Sequence, residues 1–142
     1  MATFTEPDIF SEDVANKIHD LNTDSFRWVL SNTAPVLGST FLLSNITQIA
    51  TSGGYTQMSD GAGGLPSTLS FSRTGQQVTV SGTQVVLTAT GAVGPFRYLI
   101  LVNDTPASPL NPVVGWLDHG SAVTMANTDT YTIPSGALFT IN

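Results

Sequence analysis

The chain has 142 residues and no cysteine, and its four basic residues stand against ten acidic ones for a net charge of −6. A chain of that length forms one domain that buries about two thirds of its extended surface without covalent or metal staples. The missing thiols remove thiolate catalysis, disulfides and cysteine-held metals, and one lysine with three arginines cannot build the counterion-releasing footprint that nucleic acid requires.

The first residues, MATFTEPDIF, lack the basic start and apolar core of a signal peptide, and nothing later approaches the ~18 apolar residues of a membrane span. No membrane partner is expected, and synthesis is placed in a host cytoplasm. Serine and threonine together supply about a quarter of the chain, while charged residues supply 10%. A hydroxyl-rich, weakly charged coat packs against like neighbours without repulsion, which suits repeated assembly.

In chain order, SEDVANKIHDLN predicts an amphipathic helix of about three turns, with Ser11 as cap and Val14, Ile18 and Leu21 at helical spacing. DSFRWVLSNTAP follows, where Phe26, Trp28 and Leu30 alternate with Arg27, Val29 and Ser31 as in a half-buried strand, until Pro35 ends it. SNITQIATSGGY predicts one helical turn capped by Ser44 or Asn45 and stopped at Gly53 and Gly54. MSDGAGGLPS has no periodicity and predicts an irregular loop.

From residue 68 the segments TLSFSRT, QQVTVSG, TQVVLTATG, FRYLILVND, VVGWLDHG, AVTM, TYTIPSG and LFTIN read as successive strands separated by turn residues. This is the pattern of an all-β protein, an antiparallel β-sandwich or barrel with a short N-terminal helix. The expected organisation is a single domain, with residues 1–22 as an N-terminal arm and helix and residues 23–142 as the sandwich.

Catalytic, cofactor and metal sites are not expected. His19, read onto a wet helix face, and His119, read into a turn, form no HxH or HExxH arrangement. Asp118, His119 and Ser121 lie side by side, but neighbours on a strand point to opposite faces and a triad is assembled from separate segments. The acidic residues fit helix starts and turns, and the glycines of DGAGG have no P-loop lysine.

In FRYLILVND both faces are apolar, Tyr98, Ile100 and Val102 on one side and Leu99 and Leu101 on the other, so the strand must be covered twice. One cover is the sandwich core; the other is a helix, a loop or another subunit. Arg97 shares the face of Leu99 and Leu101, and a part-buried guanidinium needs a carboxylate. Asp118 on the following strand is the expected partner, with aromatic stacking as the alternative.

GPFRYLILVNDT, followed by VVGWLDHGSAVTMANTDTYTI and a terminal LFTIN, resembles a group of tailed-bacteriophage virion structural proteins in which a GPFRY–apolar–NDT strand precedes a GW–aromatic–D–x–G turn. LNTDSFRWVLSNTAP and ITQIATSGGYT resemble earlier segments of the same group, so the likeness runs over roughly residues 20–142. Leu117 stands where an aromatic is frequent.

The resemblance implies a non-enzymatic capsid decoration or cement protein on the outer capsid surface of a virion. Such a protein associates with itself, as a homo-oligomer and expectedly a trimer, and with the major capsid protein. Phe4, Ile9 and Phe10 are the candidate contacts of the arm, which either reaches a neighbour or folds onto its own domain. Met58 and Leu65 are candidates in the glycine loop. The alternative is a tail or fibre-associated module that recognises a host-surface glycan or anchors a receptor-binding protein.

Overall fold

A computed structural model describes residues 3–141; Met1, Ala2 and Asn142, at the ends of the arm and of LFTIN, lie outside the described residues. Three antiparallel sheets make a sandwich. The largest has the order β1 (Phe4–Thr5), β8 (Val113–Met125), β7 (Val93–Asn103), β2 (Phe26–Ser31), β3 (Leu65–Ser67). Facing it are β10 (Gly136–Ile141), β5 (Gln77–Gly82) and β4 (Leu69–Thr74), and the pair β6 (Val85–Thr88) and β9 (Thr130–Ile133).

Alternation along the strands decides what is buried. Trp28, Leu30, Leu99 and Leu101 from the large sheet meet Val80, Phe139, Leu87 and Ile133 from the smaller ones in the main core. Val29, Ile100, Val102, Val113 and Trp116 point the other way into a second cluster. β7 is therefore covered on both faces from Leu99 to Asn103. The second cover is the chain's own segment between β2 and β3, through Leu43, Ile46 and Met58, so this face needs no other subunit.

The helix is shorter than the spacing predicts. α1 spans Phe10–Ala15, and Ser11 lies inside it rather than capping it. Lys17 takes a left-handed conformation with φ 61°, while Ile18 N–H donates to the Asp13 carbonyl and Lys17 N–H to that of Val14. This paired closure ends a helix firmly, so Ile18 and Leu21 fall beyond it. The turn expected behind a Ser44 or Asn45 cap, carrying Ile46 and Ile49, does not form there: a 3-10 turn spans Leu43–Asn45 instead, Ile46 is already extended, and Asn45 Oδ1 accepts from the backbone N–H groups of Phe41 and Leu42.

VVGWLDHG and AVTM merge into one strand, β8. Its pairing with β7 steps from Tyr98 opposite Asp118 to Phe96 opposite Val123, so residues 119–122 of β8 face only Arg97. The inserted residues re-phase the strand, as bulges do: Phe96 returns to the main core together with Leu99, despite the odd spacing between them.

The N-terminal segment is part of the sheet. Phe4 pairs with Leu117 and Thr5 with Trp116, which makes β1 an edge strand of the sandwich. The Phe4 ring stacks on Phe139 at 5.0 Å and meets Trp28 edge-on at 6.4 Å. Gly115 permits this, because a Cβ there would overlap the Phe4 ring.

Candidate functional site

The sequence-derived contact residues are mostly internal. Phe4, Phe10 and Met58 are buried, and Ile9 and Leu65 are half-buried. Of the two arrangements open to the arm, the chain adopts the one folded onto its own domain: Phe10 packs edge-on against Phe139 at 5.3 Å and stacks on His19 at 5.6 Å.

Arg97 and Asp118 form a two-point ion pair, with Nε donating to Oδ1 at 2.7 Å and a terminal guanidinium nitrogen to Oδ2 at 3.0 Å. The pair is more open than its apolar neighbours suggest, since the two side chains keep 40% and 43% of their exposure. The irregularity in β8 turns Arg97 out of the Leu99 face, and its guanidinium lies 5.4 Å from the Tyr98 ring centroid. The hydrogen bond from Arg97, helped by one from the Gly120 amide, holds the Asp118 carboxyl below its usual range.

Past Asp118 the strand opens a cleft. Its volume is about 520 Å³, within the range that takes a small ligand or a side chain. Leu99, Leu117, Ile133 and Pro134 make its apolar walls, and His119 and Tyr131 its polar edge. His119 Nδ1 and the Tyr131 hydroxyl share a hydrogen bond of 2.8 Å, and burial raises the Tyr131 phenol. His119 thus bonds Tyr131 while Asp118 bonds Arg97, and the adjacent Asp118, His119 and Ser121 do not form a relay.

Sequence reasoning missed a second ion pair. Arg27 Nε donates to Asp104 Oδ2 at 2.7 Å, and its terminal nitrogens donate to the carbonyls of Gly63 at 2.8 Å and Gly61 at 3.3 Å. Asp104 Oδ1 accepts the Gly61 amide at 2.9 Å. The loop DGAGG is clamped to β2, and the glycines are structural: at Gly63, φ 74°, a Cβ would strike the Gln57 carbonyl. Arg27 and Asp104 are 77 positions apart, and only the antiparallel pairing of β2 with β7 brings them together.

His19 is also placed differently from the expectation. It is buried, not on a wet face, and Asn103 donates to its Nδ1 at 3.1 Å, which leaves the proton on Nε2, 3.7 Å from Asp13 Oδ2. Burial pushes its imidazole down to about 4, with the Asp24 carboxylate opposing. Burial, with Glu12 second, raises the Asp13 carboxyl.

Among the described residues no three His, Asp or Glu side chains are grouped to hold a metal ion, and no helix is long and apolar enough to cross a membrane. Both tryptophans are buried, leaving no indole platform of the kind a sugar stacks on. What fold and surface define is a small all-β sandwich with few charges and apolar clefts. Compared with protein families, curated proteins and solved structures, the chain matches none.

Proposed function

We propose that the protein is a non-enzymatic structural component of a phage particle, a decoration or cement subunit that works by packing against its own copies and the major capsid protein. The observation that carries this reading is the distribution of large apolar side chains on a weakly charged surface. Val36 and Leu37, side by side after β2, Phe71 on β4, Val86 on β6 and Leu110 between β7 and β8 are each about half exposed. Every Å² of such surface removed from water returns about 25 cal/mol before association costs, and scattered anchors of this kind suit a subunit with several neighbours. Phe4 and Phe10 of the arm are not among these anchors, because they are already buried in the chain's own core, and Ile9 is half-buried.

Copy counting by quantitative mass spectrometry of purified particles tests the reading. A copy number commensurate with the major capsid protein supports a shell subunit. A handful of copies per particle favours the second reading, a tail or fibre-associated binding module, for which the cleft edged by His119 and Tyr131 is the site to probe. Absence from the particle removes both.

A further inference from the structure

A second cleft, of about 410 Å³, lies where the sheet β10–β5–β4 runs past the core. Facing partners in a sheet share one side. Val80 is opposite both Phe71 and Phe139, and Val78 is opposite both Arg73 and Ile141. Val80 and Phe139 are in the core, so the same side of the sheet continues outward as Phe71, Val78, Ile141 and Arg73. Phe71 is 51% exposed there. The segment around the end of α1, with Val14, Lys17 and Leu21, forms the opposing wall.

Charge singles this cleft out. Of the four basic side chains, Arg27 and Arg97 are each bound to a carboxylate. Among the described residues Lys17 forms no ion pair, and Arg73 bonds only the Gly75 carbonyl, at 2.9 Å. Lys17 lines the cleft, and Arg73, two residues beyond Phe71 and opposite Val78, continues the same side of the sheet past it, on a chain of net charge −6. Asp20 also lines it and is an anion there, its carboxyl held below the usual range by hydrogen bonds from the Thr23 hydroxyl and the amides of Asn22 and Thr23, so Lys17 and Arg73 alone supply positive charge. The left-handed turn at Lys17 that ends α1 sets this side chain at the rim.

We infer that this cleft docks a partner protein through an extended acidic segment that carries an aromatic or aliphatic side chain. The apolar side chain fills the space over Phe71, Val78 and Ile141, and flanking carboxylates meet Lys17 and Arg73. A neutral or basic segment gains the apolar contact alone. The inference concerns the cleft itself and holds whether the chain works in a head, in a tail or elsewhere.

The test is an amide-shift NMR titration of the full chain with an acetylated hexapeptide alternating aspartate with phenylalanine and leucine. Controls are the same peptide with asparagine for aspartate and with lysine for aspartate. Expected shifts centre on the 14–21, 71–74 and 78–80 segments, with roughly tenfold weaker binding for the asparagine peptide and weaker still for the lysine one. Lys17→Glu combined with Arg73→Glu should lower affinity for the aspartate peptide by roughly tenfold and leave the folded spectrum elsewhere unchanged. Equal binding of the three peptides, or shifts only outside these segments, overturns the inference. So do peptide-free shifts of these segments with protein concentration, which would assign the cleft to a second copy.

Discussion

Asn103 donates from its side-chain nitrogen to His19 Nδ1 at 3.1 Å and to Asp24 Oδ2 at 2.7 Å, joining the chain after α1 to the buried end of β7. A protonated imidazole would set an N–H against this amide. The site therefore holds His19 neutral, and stability acquires a pH dependence. The folded pKa, about 4, lies below the ordinary 6.5, so the unfolded chain binds the proton first as pH falls. His19's contribution is complete above pH 6.5 and lost progressively down to about 4, on the order of 3 kcal/mol in all. Asp13, with its raised carboxyl, works in the opposite direction and trims the effect. Urea midpoints across this window should fall for the natural chain and fall less for His19→Gln; parallel curves would remove His19 as the cause.

The two ion pairs should respond differently to loss of the cation. Arg97 and Asp118 sit largely in water, where a pair adds little, so Arg97→Met should leave the thermal midpoint nearly unchanged. Arg27 and Asp104 retain 20% and 5% of their side-chain exposure. Arg27→Met strands the buried carboxylate and frees two glycine carbonyls, and should cost about 3 kcal/mol. Limited proteolysis should then cut within residues 59–64, which stay resistant in Arg97→Met.

Phe4 is a core residue that happens to be near the N-terminus. Phe4→Ala should cost about 3 kcal/mol by urea denaturation, the range for emptying an aromatic site. Gly115→Ala forces a methyl into the space of the Phe4 ring and should destabilise by about 1–3 kcal/mol. Combined, the two changes should cost less than their sum, since removal of the ring relieves its part of the overlap, while the clash of the new methyl with the Thr5 carbonyl remains; strict additivity would assign the Gly115 effect to that carbonyl alone.

Tryptophan emission should be blue-shifted and weakly quenched by acrylamide, because Trp28 and Trp116 keep only 1% and 6% of their exposure. Added sugars should leave it unchanged even if a glycan binds beside Tyr131. Tyrosine-selective detection, lost in Tyr131→Phe, is the appropriate readout for that cleft, and strong acrylamide quenching would contradict the packing of β2 and β8.

Alternation and turn residues were enough to read the sandwich from the sequence, and Phe26, Trp28 and Leu30 do share the core side of β2, but the half-buried reading of that strand fails, because Val29 and Ser31 on its other side are fully buried as well. The double burial of β7 was legible in its two apolar faces, and so was Asp118 as the partner of Arg97, since consecutive strands tend to pair. Tertiary structure decided the rest. Whether Phe4 and Phe10 face a neighbour or their own core depends on a gap over Gly115 and on Phe139, far along the chain. Whether Arg97 is wet depends on three extra residues in β8, and the Arg27–Asp104 clamp on a pairing across 77 positions. A local pattern records which side of an element is apolar; what covers that side is set by contacts between distant segments, which no local pattern contains.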